Sequence, residues 1–466
     1  MEYVDHDIVR VWRTADGGRG SSDLLVVLYR GDDVEVMERT ASAVHVRLGV
    51  GREGWVRGQL RTTKKPPLAC AFIDVGQGDA CLITTPEGHK VLVDGGENKL
   101  AARYLAARYR DETAAGRDVH FDAIVVTHGD ADHFEGLSTL VLDAANETRD
   151  GKRIRVTAGR VFHNGLVKRR SSLPEREMLG PPVEVEGEPH APVVDDPRTV
   201  AHANRPFLRW HTALDELARR GSLEVARLDR ELGGQFDFLG DVKVDVLGPR
   251  ALVQDDGASL LPLLSQTEGG RAVSAARTIN GHSVVLRVAY GNVSVLLTGD
   301  LNAEIQEQLV DAGLALRSDV VKVPHHGSDD VSRRFVDEVA PLVSVISAGD
   351  EDARRDYLHP RANLLAMLGQ ARRGAEPVVF VTNLSAFDRW AGEAFYAIKD
   401  GDGWKPDIER GTFYARERTA YGIIHVRTNG ERLLVVRRGA RKDRYEAYAY
   451  TVASDGSATS VAIDSV

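Results

Sequence analysis

The stretch VVTHGDADHFEGL, residues 125–137, gives the strongest indication of architecture in this chain. An apolar run typical of a buried strand leads into two histidines and two aspartates crowded into six positions: His128, Asp130, Asp132 and His133. Such groups are costly at a strand end when they are buried without partners. A cation of the Zn²⁺ or Mn²⁺ class binds imidazole and carboxylate and removes the repulsion between the aspartates. The stretch therefore predicts a metal site, and a surface cluster that caps the next helix is the alternative.

Composition sets the limits within which this site must work. The 466 residues are 42% hydrophobic and 28% charged, which are ordinary values for a soluble protein of two or three domains. The net charge of −9 provides no general attraction for nucleic acid, so any site for a polyanion has to be local.

Targeting and redox signals are weak. No run approaches the roughly 20 apolar residues that span a bilayer, and the N-terminal MEYVDHDIVRVWRT has no apolar signal core. We therefore expect a cytoplasmic protein without membrane contact. Cys70 and Cys81 lie inside apolar runs, so we expect buried free thiols.

Residues 1–65 predict a separate small domain. Short apolar alternations separated by Gly and Asp turns indicate an all-β barrel, and the RTTKKPPLA that follows resembles a linker because Pro66 and Pro67 block helix and central strand. The pattern GDDVEV at residues 31–36 with GWV at 54–56 resembles bacterial SH3-like domains. That resemblance implies packing on a neighbour or binding of a protein partner.

From residue 68 to 466 the chain predicts one larger α/β domain. A β-rich start feeds alternating strands and helices, and a second β-rich half begins at GHSVVLRVAYGNVSVLLTGD, residues 281–300. Two such halves suggest two sheets packed face to face with helices outside. Residues 165–205 are rich in Pro, Glu and Asp without a clear period, so we expect a long, partly mobile insertion there.

The motif H-x-D-x-D-H resembles the metal motif H-x-H-x-D-H of the metallo-β-lactamase superfamily, and this variant is similar to the soluble domain of the ComEC family of DNA-uptake proteins. Six further stretches match that subgroup in order: FIDVGQGDACLI (72–83), VLVDGG (91–96), NGHSVVL (280–286), LLTGD (296–300), VKVPHHGS (321–328) and YLHP (357–360). The resemblance covers about residues 68–435 and implies an αββα sandwich.

The resemblance also implies a set of ligands for two divalent ions, Zn²⁺ or Mn²⁺. His128 and Asp130 would serve one ion, and Asp132 with His133 the other. Asp300 would bridge them at the roughly 3.5–4 Å spacing of two-metal hydrolases. A supporting role falls to Asp94, and the last ligand position to His359.

The other histidines leave alternatives open. His282 lies where many superfamily members carry a ligand, and His163 is a second candidate for that place. Either His325 or His326 is expected to touch the metals or the substrate. Which of the two points inward cannot be told at a strand end, because adjacent side chains alternate sides.

Further residues are expected to support the reaction. The resemblance places Gln77 and Asp79 near the metals, and Ser328 is a candidate hydrogen-bond donor. Asp132 or Asp130 would orient a water activated by two cations, and one histidine of the 325/326 pair would protonate the leaving oxygen.

These features predict a metal-dependent hydrolase, with a phosphodiesterase or nuclease first, because ComEC-like domains are associated with DNA degradation. The substrate would be nucleic acid or a small phosphodiester. Hydrolysis of a small ester, such as a lactone, thioester or phosphocholine ester, is the alternative, since a fold alone does not choose the bond. A partner-binding protein without catalysis is a third possibility.

Overall fold

The computed structural model describes residues 2–16, 22–149, 151–266, 272–349, 359–371, 373–383, 395–400, 403–412, 422–439 and 444–466. These residues form a seven-stranded N-terminal sheet and, in the rest of the chain, sheets of ten, six, four and two strands.

The N-terminal sheet is antiparallel throughout and has the strand order β3-β2-β6-β5-β4-β1-β7. Val9, Val11, Val44, Val46 and Val56 form its apolar core. This arrangement confirms the expected small all-β unit, while its likeness to SH3 domains stays a resemblance. Its strands are β1 (Glu2–Val4), β2 (Ile8–Trp12), β3 (Leu24–Tyr29), β4 (Asp33–Arg39), β5 (Ala43–Arg47), β6 (Glu53–Arg57) and β7 (Thr62–Thr63).

The rest of the chain alternates strands and helices. The strands of its first part are β8 (Leu68–Phe72), β9 (Cys81–Thr84), β10 (Lys90–Val93), β11 (Val119–Val126), β12 (Val156–His163), β13 (Val183–Val185), β14 (Glu188–Pro192) and β15 (Glu224–Arg227). The helices there are α1 (Leu100–Arg108), α2 (Arg110–Ala114), α3 (Ala131–Leu142) and α4 (Arg205–Arg220).

The second part continues the same alternation. Its strands are β16 (Lys243–Gly248), β17 (Leu252–Val253), β18 (Ser259–Pro262), β19 (Val285–Tyr290), β20 (Val293–Leu297), β21 (Val320–Lys322), β22 (Val343–Ile346), β23 (Val378–Val381), β24 (Phe395–Asp400), β25 (Gly403–Thr412), β26 (Ile424–Thr428), β27 (Arg432–Arg438), β28 (Tyr445–Val452) and β29 (Ala458–Val461). Its helices are α5 (Ala275–Gly281), α6 (Ala303–Asp311), α7 (Arg333–Val339) and α8 (Ala362–Gln370).

Two sheets face each other across the main core. The ten-stranded sheet has the order β15-β12-β11-β10-β9-β8-β26-β27-β28-β29, and the six-stranded sheet the order β16-β19-β20-β21-β22-β23. Ala123 and Val125 of β11 join one apolar cluster with Val295 and Leu297 of β20. Ile124 of the same β11 packs in a second cluster on the opposite face of its sheet. Burial on both faces explains why these strands are almost wholly apolar in sequence.

Helices cover the two outer faces. Residues of α1, α3 and α4 pack on the ten-stranded sheet, and residues of α6, α7 and α8 pack on the six-stranded sheet. The order helix, sheet, sheet, helix confirms the predicted αββα sandwich. Both cysteines are buried and free, as expected.

The parallel strands bring the polar motifs together. β10 and β11 run parallel in one sheet, and β20, β21, β22 and β23 run parallel in the other. Ligand-type residues follow the carboxyl ends of β10, β11, β20 and β21, the edge at which open α/β sheets place their sites. The Val284 amide donates to the Thr127 carbonyl at 2.8 Å, which joins the two sheets beside this edge.

The segment 165–205 is more regular than its sequence predicts. It contains β13 and β14, which join β18 and β17 in a four-stranded sheet of order β13-β14-β18-β17. Leu166, Leu179 and Ala191 form a buried cluster with Leu261 and Ile279. The expectation of an irregular loop is therefore wrong for these strands: β13 pairs with β14, and β14 pairs with β18, which lies about 70 residues further along the chain.

A buried charge network joins the N-terminal sheet to the end of the sequence. Asp7 is 0% exposed and accepts hydrogen bonds from Arg30 Nε at 3.1 Å, Arg432 Nε at 2.9 Å and the Asp464 amide at 2.9 Å. Residues 464–466 also pair with β2 through the Ile8 amide and carbonyl. Burial would raise the pKa of Asp7, but the hydrogen bonds from Arg432 and Asp464 outweigh it and lower that pKa.

Among the described residues, no helix is both long and apolar enough to cross a bilayer.

We expect Asp7→Ala to lower the free energy of unfolding by about 3–5 kcal/mol, because two arginines lose a buried counter-charge. Urea unfolding at neutral pH, followed by circular dichroism, measures this loss. The control is Asp5→Ala, since Asp5 pairs with the same Arg30 but its side chain is 41% exposed, and such pairs contribute about 1 kcal/mol or less. Equal losses for the two variants would contradict the network.

The same contribution should depend on pH. The folded-state pKa of Asp7 lies below that of the unfolded chain, so the stabilisation is complete above about pH 4 and is lost as the pH falls below that value. The difference between wild type and Asp7→Ala should therefore shrink in acid, which unfolding curves at a series of pH values would show. A difference that grows in acid would reverse the assigned sign.

Candidate metal centre

The candidate centre lies where the two sheets end side by side. Asp94 follows β10, His128 follows β11, and Asp132 and His133 lie in the first turn of α3. From the other sheet, Asp300 follows β20 and His326 lies in the 3₁₀ turn Pro324–Gly327 after β21. Residues from five separate parts of the fold therefore converge.

One carboxylate oxygen is at the middle of this group. Oδ2 of Asp300 lies 3.1 Å from His326 Nε2, 3.4 Å from His133 Nε2 and 3.9 Å from His128 Nε2. Oδ2 of Asp132 lies 3.3 Å from the same His326 nitrogen. Asp300 and the three imidazoles are almost completely buried, whereas the Asp132 side chain is 21% exposed and marks the open side.

Within the described residues, three sets of side chains offer ligand atoms that all lie within 4.8 Å of one another. The first is His128, His133 and Asp300; the second is Asp132, His133 and His326; the third is Asp79, Asp94 and His133.

The imidazoles test whether this group suits a cation. The Nε2 atoms of His128, His133 and His326 are buried and have no hydrogen-bond partner. Buried polar atoms are normally satisfied, so three orphans around one carboxylate need an explanation. Neutral Nε2 atoms and carboxylate oxygens are a donor set for a divalent cation, and the residues present therefore fit one.

Asp94 fixes the orientation of His133. Asp94 Oδ2 lies 2.8 Å from His133 Nδ1 and accepts a hydrogen bond from the Thr127 hydroxyl at 2.6 Å. Asp94 Oδ1 accepts a hydrogen bond from the Thr127 amide at 2.8 Å. A proton on Nδ1 leaves the Nε2 lone pair free for a metal. This is the geometry that the supporting role proposed for Asp94 requires.

The charged groups of the centre shift one another's pKa values. Burial opposes protonation of His133, but Asp300 and Asp94 outweigh it and raise its pKa well above the usual range. Burial lowers the pKa of His128 well below its usual range. Burial would raise the pKa of Asp300, yet His326 and His133 hold it well below normal. The structure thus places two imidazoles of raised pKa, His133 and His326, beside the Asp300 carboxylate, whose pKa is lowered.

Lys322 is a central residue to which the sequence assigned no role. It ends β21, is 3% exposed, forms an ion pair with Asp79 Oδ2 and donates to the Gly299 carbonyl at 2.9 Å. Its Nζ is also 3.5 Å from Asp300 Oδ1. Burial opposes its charge, but Asp79 and Asp300 outweigh that effect and raise the pKa of Lys322. Lys322 thus occupies Oδ1 of Asp300 and leaves Oδ2 facing the histidines. In the sequence, the signal that could have revealed this role is a lysine inside an apolar strand.

The loop at residues 76–79 fits tightly against the first turn of α3. Gly78 has φ of 99°, and a Cβ atom there would lie 1.8 Å from the Asp132 carbonyl oxygen, so only glycine allows this approach. Gln77 Nε2 donates to Asp132 Oδ2 at 3.4 Å. Asp79 and Gln77 therefore lie beside the metal motif.

The structure distinguishes His325 from His326. Both have positive φ, 48° and 53°, so the chain turns sharply between them. His326 enters the cluster and donates through Nδ1 to the Ser347 carbonyl at 3.0 Å. His325 is partly buried, and its ring centroid lies 6.1 Å from those of His326 and His359.

His359 lies beside the centre but outside the three ligand sets. Burial, with His326 and His325 nearby, lowers its pKa to about 4. Tyr357 and Leu358 of the same motif fall outside the described residues. Ser328 accepts a hydrogen bond from the Asp330 amide at 3.2 Å, as a turn residue does.

The structure does not bring His282 or His163 into the centre. His282 Nε2 is 2.8 Å from the Pro262 carbonyl, and His163 Nε2 is 2.8 Å from the Asp195 carbonyl. Burial lowers the pKa of His282 to about 4. A ligand role for His282 has no support here, because its ring nitrogen is already engaged elsewhere. Its neighbour Ser283 is the residue at the site, with Oγ 3.4 Å from His128 Nδ1 and accepting from the Asp300 amide at 3.0 Å.

Asp130 also lies outside the three sets. Its Oδ1 is 3.1 Å from the ammonium of Lys168, and neither side chain is fully buried. The expected pairing of Asp130 with His128 around one ion is therefore not seen among the described contacts.

We compared the chain with known proteins. The family described as the metallo-beta-lactamase superfamily matches residues 73–349. ComE operon protein 3 of Bacillus subtilis (strain 168) is 25% identical over 314 residues, which are 64% of this chain and 30% of that protein. Competence protein ComA of Neisseria gonorrhoeae is 42% identical over 83 residues, 17% of this chain and 12% of that protein. The chain thus spans less than a third of the length of these relatives.

Among solved structures, a mutant of CmlA beta-hydroxylase matches with a TM-score of 0.31 and 14% identity over 68% of this chain and 53% of that one. A score this low carries no argument about function.

Lys322→Met should destabilise the metal-free protein by about 3–5 kcal/mol, because two buried carboxylates lose their fixed counter-charge. Urea unfolding in the presence of a chelator measures the loss. Lys243→Met is the matched control, since Lys243 is an exposed lysine at the start of β16 in the same sheet. Equal stability of the two variants would show that Lys322 does not balance the buried charges.

Proposed function

The chain belongs to the metallo-beta-lactamase superfamily, and we propose that it is a metal-dependent hydrolase that cleaves phosphodiester bonds. The observation that carries this proposal is the buried group of Asp300 and three imidazole Nε2 atoms without hydrogen-bond partners. We further propose membership in the ComEC-like subgroup, supported by the ordered motifs and by similarity to the competence proteins.

The ligands of this proposal are those that the geometry brings together. His128, His133, Asp300, Asp132 and His326 would hold two divalent ions, Zn²⁺ or Mn²⁺. When bound, such ions supply Lewis acidity and lower the pKa of water toward neutrality. Asp94 orients His133, and Lys322 orients Asp300.

Charge balance favours a phosphodiester over a neutral ester. The centre and its rim contain five carboxylates and two ammonium groups, a formal charge of −3 with neutral imidazoles. Two divalent cations change this to +1. A phosphodiester carries one negative charge, so it complements the loaded centre, whereas a lactone or thioester does not.

The remaining polar groups fit the steps of hydrolysis. Asp132, the partly exposed carboxylate of the cluster, can accept a hydrogen bond from the attacking water and orient it. His326 is enclosed by carboxylates, which suits a ligand. His325 is only partly buried, and its Nδ1 has no hydrogen-bond partner. We therefore assign His325 the role of the general acid that donates a proton to the leaving oxygen.

The substrate is proposed to be nucleic acid or a small phosphodiester. Binding of a protein partner through the N-terminal sheet and a cytoplasmic location stay predictions.

Purified protein loaded with Mn²⁺ or Zn²⁺ should hydrolyse bis-p-nitrophenyl phosphate and single-stranded DNA. Asp132→Ala and Asp300→Ala should each reduce kcat/KM by about 100-fold or more, because each removes charge at the reacting centre. His120→Ala is the control, since His120 is an exposed histidine on β11, the strand that leads to His128. Activity that survives both aspartate substitutions would reject the assignment.

His325→Ala should slow substrates according to their leaving groups. Cleavage of a dinucleotide releases a nucleoside alkoxide, which is a poor leaving group and needs a proton. The p-nitrophenolate released from the nitrophenyl ester leaves without one. We expect the variant to lose about 100-fold on the dinucleotide and tenfold or less on the nitrophenyl ester, measured as kcat. Equal losses on both substrates would assign His325 a role in binding or structure instead.

A further inference from the structure

Asp130 is the member of the opening motif whose contacts lead away from the buried cluster. Its Oδ1 lies 3.1 Å from Lys168 Nζ. The amide of Asn280, in the orientation that satisfies both of its atoms, donates to Asp130 Oδ2 at 3.1 Å. Both carboxylate oxygens are thus engaged by cationic or amide donors.

Asp130 also lacks the hydrogen bond that is usual at its position. It is the N-cap of α3, where an aspartate side chain normally accepts a hydrogen bond from a backbone amide of the first turn, yet it makes no such bond. Its side chain instead points to Lys168. Capping of α3 therefore does not explain why an aspartate lies at position 130.

The backbone of Lys168 is firmly held while its side chain stays accessible. The Asn204 amide donates to the Lys168 carbonyl at 2.9 Å, and the next residue, Arg169, forms a β-bridge with Ala203 and donates to the Met178 carbonyl at 2.7 Å. The side chains of Lys168 and Asp130 are each 27% exposed. The ammonium is therefore held beside Asp130, two residues from His128 and from Asp132 in sequence, and it remains partly accessible.

We propose that Asp130 is not a metal ligand but a positioning residue, which holds the Lys168 ammonium where it binds a non-bridging oxygen of the substrate phosphate. This inference rests on the proposed function and names the residue that selects a charged diester. A partly exposed ion pair can accept a third, anionic partner at little cost, because lysine has three donors. A phosphate oxygen next to an ammonium forms one of the stronger kinds of hydrogen bond.

The test compares a charged and an uncharged ligand of the same shape. Thymidylyl-thymidine and its methylphosphonate analogue differ by one charged oxygen. Each is measured as an inhibitor of bis-p-nitrophenyl phosphate hydrolysis by the Mn²⁺-loaded protein of residues 1–466. We expect wild type to prefer the charged ligand. Lys168→Met should reduce that preference about tenfold, Lys168→Arg should retain most of it, and Asp130→Asn should lose part of it. Lys64→Met, at an exposed lysine that follows β7, is the charge-matched control.

Calorimetric titration with Mn²⁺ tests the role of Asp130 without any activity. We expect Asp130→Asn and Lys168→Met to bind the same number of ions as wild type. Loss of one equivalent in Asp130→Asn would overturn the inference, as would a Lys168→Met variant with an unchanged charge preference. Failure of wild type to hydrolyse any phosphodiester would count against the proposed function, and the titration would still decide whether Asp130 is a ligand.

Discussion

Several carboxylates are buried together at one edge of the sandwich, and their neutralisation governs how the surrounding residues are arranged. Asp79, Asp94 and Asp300 are almost completely buried, and three imidazoles and one lysine surround them. Unpaired charges in such a place would be prohibitive, so every acid has a fixed partner. The Nε2 atoms of the three histidines are buried without hydrogen-bond partners beside these acids, which is a donor set that suits a divalent cation.

Each sheet of the sandwich, with its connections, supplies some of the charged and ligand-type residues of this cluster. The segments that leave the ten-stranded sheet supply His128, His133 and Asp94, and the six-stranded sheet with its connections supplies Asp300, Lys322 and His326. The hydrogen bond from Val284 to Thr127 and the shared apolar core hold the halves in register. The distances around Asp300 are therefore a property of sheet packing, and small shifts between the layers would separate the ligands.

A second network of buried charge does purely structural work. Asp7, Arg30 and Arg432 tie the N-terminal sheet to the outer strands of the ten-stranded sheet. An apolar cluster of Ile8, Tyr29, Leu434 and Val436 lies beside it. The two networks use the same pairing of buried acids with cations, but the Asp7 network contains no imidazole.

The αββα sandwich and the small all-β unit before it were predictable from the sequence, whereas most residues proposed for the centre came from the family resemblance. Apolar runs identify strands buried on both faces, and polar residues directly after them can only gather at a strand edge. The choice between His325 and His326 was not predictable, because it depends on two residues of positive φ. Nor could His282 be excluded, since its ring nitrogen is engaged by a carbonyl 20 residues earlier in the chain.

The sequence assigned no role to Lys322, and the family resemblance paired Asp130 with His128 around one ion. Both gain their contacts from residues far away in sequence: Lys322 from Asp79, and Asp130 from Lys168. Side-chain direction and long-range pairing depend on how the two sheets and the strands of residues 183–192 pack. Local sequence does not encode that packing, and so these points were settled by the three-dimensional arrangement.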